Sequence, residues 1–254
     1  MNDEEYRNYL KGLCLANLPV PFYGLYLSHI TIKDIVEMGE TVYRKTILPI
    51  SLSKEVILKD CNIDIELIDL LMSTEELASY RENLIKLLSL VFKVEFKDIT
   101  IASLDGVHNE IIIKNKLFMN NNIFKNFKDI VLFMNKLKEI KLKDLSDNKF
   151  KSSDETYNKR LEVFYKGKAE YEEIKKNENT DEILNLYSFI VHIQNTVDYE
   201  RVLKLNVYQL YNSAKELTKK EDYNFTRNIY SSGQVSLKGV EIPNYYNLIS
   251  KDNR

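Results

Sequence analysis

Apolar residues recur at spacings of three and four along most of this chain, and the breaks in that rhythm divide it into elements. Tyr6, Leu10 and Leu13 share one face of a helix predicted over residues 3–14. Leu18, Pro19, Val20, Pro21, Phe22, Tyr23 and Gly24 follow. Two prolines at alternate positions make this stretch extended and bar it from the centre of a sheet. Its apolar residues leave two readings, a surface crossing or a partner-docking segment. Thr31 reads as the N-cap of a helix over residues 32–45, with Asp34 in its first turn. Ile32, Ile35, Val36, Val42 and Tyr43 form its core stripe, and Gly39 weakens its middle. Pro49 is expected to end regular structure.

Short helices are predicted through Ile57 and Leu58 and through Leu67, Leu70 and Leu71. Ser73, Thr74, Glu75 and Glu76 form a capping-box signature for a helix reaching Phe92. Its seam of Leu77, Tyr80, Leu84, Leu87 and Val91 is too short for a coiled coil, so it reads as a core helix. The period then changes. Three β-rich runs, at residues 94–96, 99–101 and 111–113, predict a small antiparallel sheet within residues 93–119, with Asp105-Gly106 as a hairpin turn. Asn120 should cap the following helix, whose stripe is Ile123, Phe127, Ile130, Val131 and Met134.

From residue 136 to about 158 the pattern dissolves into Lys, Asp, Ser and Asn, which predicts a long loop or linker. Helical periodicity returns over residues 157–176. It continues over residues 180–196, which are apolar nearly all round and therefore predicted buried, in the core or in an interface. Asn206 should cap a helix carrying Tyr208, Leu210, Tyr211, Ala214 and Leu217. A separate final piece holds Tyr223, Phe225, Ile229 and Tyr230 before Gly233. The expected fold class is α+β, predominantly helical, with a small antiparallel sheet around residues 93–119. The expected organisation is a mixed α/β part at 1–140, a loop or linker at 141–158 and a helical part at 159–254.

Composition changes this picture little, but it narrows the chemistry. The charged residues nearly cancel, 36 Lys+Arg against 38 Asp+Glu, so no global basic footprint for nucleic acid exists. Cys14 and Cys61 lie far apart without metal-ligand spacing and read as free thiols of a reducing cytoplasm. No apolar run approaches the roughly 20 residues of a membrane helix. The acidic opening lacks the features of a signal peptide, so the expected location is the cytoplasm.

Histidine is the usual general base, and only His29, His108 and His192 exist. None has a His, Cys or carboxylate at metal-binding spacing. His192, on a largely apolar helix, is expected to be partly buried with a hydrogen-bond partner, and His108 to be solvated. The seven glycines are scattered and form no phosphate-cradling loop. Glu75-Glu76 and Glu172-Glu173 read as solvated helix faces. No catalytic residue, cofactor or metal is therefore assigned, and the expectation is a protein that is not an enzyme. Seventeen tyrosines and eleven phenylalanines suit both a tryptophan-free core and protein interfaces.

Three stretches resemble tail-assembly chaperone and baseplate-assembly proteins of large tailed phages of Gram-positive bacteria. The run from Leu205 to Phe225 is similar to their closing helices, and Asn244, Tyr245, Tyr246 and Asn247 to their final aromatic segment. Asn122 to Asn135 and Ile30 to Tyr43 resemble an internal segment and the opening helix. The resemblance implies a non-enzymatic helper acting in the host cytoplasm during assembly. Its partners would be phage tail components such as the tape-measure protein, with neither nucleic acid nor membrane involved. A structural virion protein of the baseplate or hub is the alternative, and self-association into a homo-oligomer stays open. The candidate partner-binding residues are Pro19, Pro21, Phe22, Tyr23, Tyr187, Ile190, Tyr245, Tyr246, Leu248 and Ile249.

Overall fold

Short polar side chains begin half of the described helices and set where the chain turns there. The structure, a computed structural model, describes residues 2–58, 65–73, 77–103, 108–140, 182–193 and 198–231. Helix α1 (Asp3–Ala16) opens on a capping box: the Asn2 side chain accepts from the Glu5 amide at 2.8 Å, and Glu5 accepts from the Asn2 amide at 2.9 Å. Asn17, left-handed at φ 55°, ends it.

Strands β1 (Val20–Phe22) and β2 (Leu25–Leu27) form a hairpin, so the two-proline segment is extended and lies in a two-stranded edge. Its loop residues Tyr23 and Gly24 have φ of 43° and 82°, the pair of positive values that a type I′ turn requires. Phe22 and Leu25 flank the turn as the hydrogen-bonded pair, which makes Pro21 and Tyr26 a non-hydrogen-bonded pair. The hairpin therefore loses nothing to the missing amide of Pro21.

Thr31 caps as expected, in a capping box with Asp34. The helix it starts is short, α2 (Ile32–Met38), because Gly39 at φ 84° and ψ 138° breaks the expected single helix into two. The second piece, α3 (Glu40–Ser51), runs through Pro49 instead of stopping there. The proline sits in the last turn, and Lys45, whose carbonyl it cannot pair, is on the exposed face. Helices α4 (Lys54–Leu58) and α5 (Leu67–Ser73) follow. Ser73 ends α5. Helix α6 (Ala78–Phe92) starts instead from Leu77, without a side-chain cap. Residues 74–76 of the expected capping box lie outside the described ones.

The sheet lies where the change of period put it, with one substitution among its strands. Strands β3 (Ile99–Ser103), β4 (Asn109–Ile113) and β5 (Leu117–Met119) pair antiparallel in that order. The run at 94–96 is not a strand, because the chain tightens there into a 3₁₀ turn, Phe96–Asp98. Helix α7 (Asn121–Met134) is capped by Asn120, as expected. The linker expected at 141–158, the helix at 157–176, the Asp105-Gly106 turn and the tail beyond 231 lie outside the described residues. The C-terminal part holds α8 (Glu182–Ile193), α9 (Tyr199–Leu203) and α10 (Val207–Ser231). Helix α9 has no counterpart in the periodicity reading, and the two helices expected after Asn206 are the single α10.

The fold is thus α+β and predominantly helical, with two small antiparallel sheets. One hydrophobic cluster contains residues from both sides of 141–158, from Leu10 of α1 to Leu217 of α10. Under the hairpin, Phe22, Phe92, Phe124 and Phe127 form an aromatic block with centroid separations of 5.8 to 6.1 Å. Such pairs add about 0.5–1.5 kcal/mol each beyond the area they bury.

Asp69 of α5 ties the sheet to α7. Its carboxylate is buried and accepts from the Asn109 amide at 2.6 Å, from the Asn109 side chain at 3.2 Å and from the Asn121 side chain at 2.9 Å. Burial alone would raise its pKa, but these hydrogen bonds outweigh burial and hold it below its ordinary value of 3.8. A carboxyl depressed in the folded state stabilises the fold above its unfolded pKa, and that contribution disappears as pH falls through the folded value. Asp69→Asn should accordingly differ most from the natural chain in urea midpoint at about pH 7, and the gap should close below about pH 4. A gap that persists unchanged at about pH 3 would show that Asp69 titrates as if exposed.

Candidate functional site

The hairpin tip, one face of α1 and the outer face of α7 enclose a groove of about 1070 Å³. Leu10, Phe22, Ile130 and Leu132 are its buried lining, and Tyr6 and Phe133 are half-buried in its walls. Tyr23 stands at its lip with 54% of its surface exposed, and Leu137 is also exposed there. The type I′ turn explains the placement of Tyr23. It sends Phe22 down into the aromatic block and leaves the next residue outside. The Asn126 side chain then donates to the Tyr23 hydroxyl at 2.8 Å and pins the tip to α7. Burial, then the nearby hydroxyls of Tyr23 and Tyr9, raise the pKa of Tyr6. Tyr6 is therefore a neutral donor at physiological pH. Charged side chains of both signs, among them Asp3, Arg7, Asp129 and Lys136, ring the opening.

Of the candidate residues read from the sequence, Pro21, Phe22 and Tyr23 come together in this groove, while Pro19 is not among its lining residues. Phe22 is nevertheless a core residue, because strand alternation points it inward beside Val20. Ile190 is core for a similar reason, lying on the inward stripe of α8 with Ile183. Helix α8 is not buried all round: Leu186, Tyr187, Phe189 and Val191 are half-buried and Ile193 is exposed. The Tyr187 hydroxyl donates to the Tyr199 carbonyl at 3.4 Å, and the two rings lie 5.5 Å apart. Tyr245, Tyr246, Leu248 and Ile249 lie outside the described residues.

The three histidines engage separate partners. His29 is buried and donates from Nε2 to the Leu18 carbonyl at 2.8 Å, and burial lowers its pKa. His108 is exposed, 3.6 Å from Asp69. His192 is exposed instead of partly buried, because it projects from the outer face of α8, where its Nδ1 donates to the Ser188 carbonyl at 2.8 Å. Burial raises the Cys14 thiol to about 11, which keeps it protonated and unreactive. Among the described residues no group of three His, Cys, Asp or Glu side chains could hold a metal ion. No described helix is long and apolar enough to cross a membrane.

Sequence reasoning missed the α1 and α7 walls of the groove. One signal was available: Phe133 is a large apolar residue lying off the core stripe of its own helix.

Residues 175–250 match the family described as the YomV second domain, a phage-related family of Bacillus prophage. The bacteriophage context of this chain rests on that match. The matched stretch includes α8, α9 and α10, and with them the run from Leu205 to Phe225. The family's description names neither an activity nor a partner. Comparison with curated proteins found no match, and comparison with solved structures found none.

Proposed function

We propose that this chain is a non-enzymatic phage tail-assembly factor. It binds other tail components, such as the tape-measure protein, through the groove between α1, the hairpin and α7. The observation that carries the reading is an apolar groove with an exposed, pinned aromatic at its lip, the arrangement typical of a hot spot at a protein interface. The phage-related match of the C-terminal part supports the setting. A sequence without a phosphate-cradling loop or metal-ligand spacing supports the non-enzymatic half. Its place of action on this reading is the host cytoplasm during assembly.

Tyr23→Ala and Leu137→Ser, both at exposed positions, test it. Each should weaken binding of the co-expressed tape-measure protein about tenfold or more, the loss typical of a truncated interface anchor, while leaving thermal unfolding within a few degrees. Unchanged binding in both variants would remove the groove from the interface. Mass spectrometry of purified virions decides the remaining choice. Stoichiometric presence there would replace the transient factor with a structural protein of the baseplate or hub.

A further inference from the structure

Pro19 and Pro21 are both exposed, and the hydrogen-bond pattern of the hairpin decides what they present. Residues of non-hydrogen-bonded pairs turn their amides and carbonyls away from the partner strand, to the outer edge. Val20 and Phe22 belong to hydrogen-bonded pairs with Leu27 and Leu25, so their polar groups are used inside the hairpin. Position 21, opposite Tyr26, faces outward. Position 19 faces outward by the same alternation, opposite Ser28. The Ser28 amide confirms the phase: it leaves the hairpin and donates to the Val91 carbonyl of α6 at 2.6 Å. The outer edge of β2 is therefore met there by α6, while the outer edge of β1 has no strand beside it among the described residues. At both places where that edge would offer an amide the residue is proline, so the edge shows carbonyls alone.

We infer that Pro19 and Pro21 bar strand addition on the open edge of β1, so that a chain docking in the adjoining groove enters as a helix, with its own backbone already paired. The hairpin side of the groove is this same edge: Pro21, Phe22 and Tyr23 line it, and no residue of β2 does. The bar itself stands apart from the groove reading, whereas the helical form of the partner rests on it. An extended segment laid against β1 could donate to the Pro19 and Pro21 carbonyls but would find no donor there for its own carbonyls. Burial beside the apolar lining makes each unpaired carbonyl costly. A helix has no such need, because its amides and carbonyls pair within the segment. The bar also matters to the free chain. Leu18 and Tyr26 are exposed next to Pro19 and opposite Pro21, and an exposed apolar edge of this kind pairs with a second copy unless its ladder is interrupted.

Two synthetic peptides of one composition test this on the full chain by fluorescence anisotropy. One spaces its Leu and Phe three and four apart, and the other alternates them with its polar residues. The natural chain should bind the helical peptide and bind the alternating one about tenfold more weakly or worse. Pro19→Thr with Pro21→Thr restores both outward amides and should strengthen binding of the alternating peptide about tenfold or more. In sedimentation the same double variant, and not the natural chain, should associate with itself as concentration rises. Pro21→Thr alone restores one amide and should move both readouts part of the way, which decides the matter if the double variant shows a lowered urea midpoint. Variants that match the natural chain in both readouts would overturn the bar, as would a natural chain that already binds the alternating peptide as tightly as they do. Tighter binding of the alternating than of the helical peptide to the natural chain would overturn the helical form of the partner. If the helical peptide fails to bind the natural chain while the variants still gain the alternating one, the bar stands and the groove reading fails.

Discussion

Replacing Glu40 by alanine should cost about 2–4 kcal/mol of stability and expose the amides of α8 to hydrogen exchange. Glu40 is 2% exposed, and its two carboxylate oxygens receive the backbone amides of Ile183 at 3.0 and 3.1 Å and of Leu184 at 3.2 Å. These amides belong to the first turn of α8, where no intrahelical partner exists. A residue 143 positions earlier therefore caps the helix. Glu40 is also the first residue of α3, so two helix N-termini, each with its partial positive charge, converge on one buried carboxylate. The Arg44 guanidinium completes the arrangement, with Nη2 2.6 Å from Oε1 of Glu40. Arg44 is nearly half exposed, so solvent screens that ion pair and it adds little. The predicted cost comes mainly from two orphaned amides, at about 1–2 kcal/mol each. Glu40→Gln keeps an acceptor for those amides and should lose less. If Glu40→Ala left exchange in residues 182–193 unchanged, α8 would not depend on this cap.

Asn206→Ala is expected to cost about 2–4 kcal/mol, measured as a lower urea midpoint without a change of slope. Asn206 is 1% exposed and uses every polar atom it has. Its Oδ1 accepts from the Gln209 amide at 2.8 Å, and Gln209 Oε1 accepts from the Asn206 amide at 3.0 Å, a capping box that starts α10. Its Nδ2 donates to the Cys14 carbonyl at 2.8 Å and to the Asn17 side chain at 2.9 Å, so it closes the C-terminus of α1 as well. Asn206→Asp separates the two roles. It can still cap α10 but has no donor for Cys14, and it should fall between alanine and the natural residue. A loss below about 0.5 kcal/mol for Asn206→Ala would mean that water replaces these bonds without penalty.

The half of Asn206 that caps α10 was legible in the sequence and the half that closes α1 was not, and the same division runs through the molecule. Thr31, Asn120 and Asn206 announce their helices because a cap is a bond between residues two or three apart. The change of period announced the sheet for the same local reason. Pro49 was misread because its effect depends on whether the carbonyl it strands faces solvent, which tertiary packing decides. The groove was the least legible feature. Its lip comes from a turn at residue 23 and its far wall from residues near 130, and nothing in the local pattern says that they meet. Only the apolar character of the lip was visible in advance.

The bond between Asn206 and Cys14 also sets an order of events. It spans 192 positions, and the neighbouring bridge joins Thr31 to Asn206. On the ribosome, α1 can coil as soon as it emerges, but the Asn206 bond to its Cys14 carbonyl waits for residue 206 to be made. At about 5–20 residues per second that wait is on the order of ten seconds or more. Through it, Leu10 and Cys14 have no α10 to cover them. The chain must first keep its own opening helix from aggregating while the helix that covers it is still being translated.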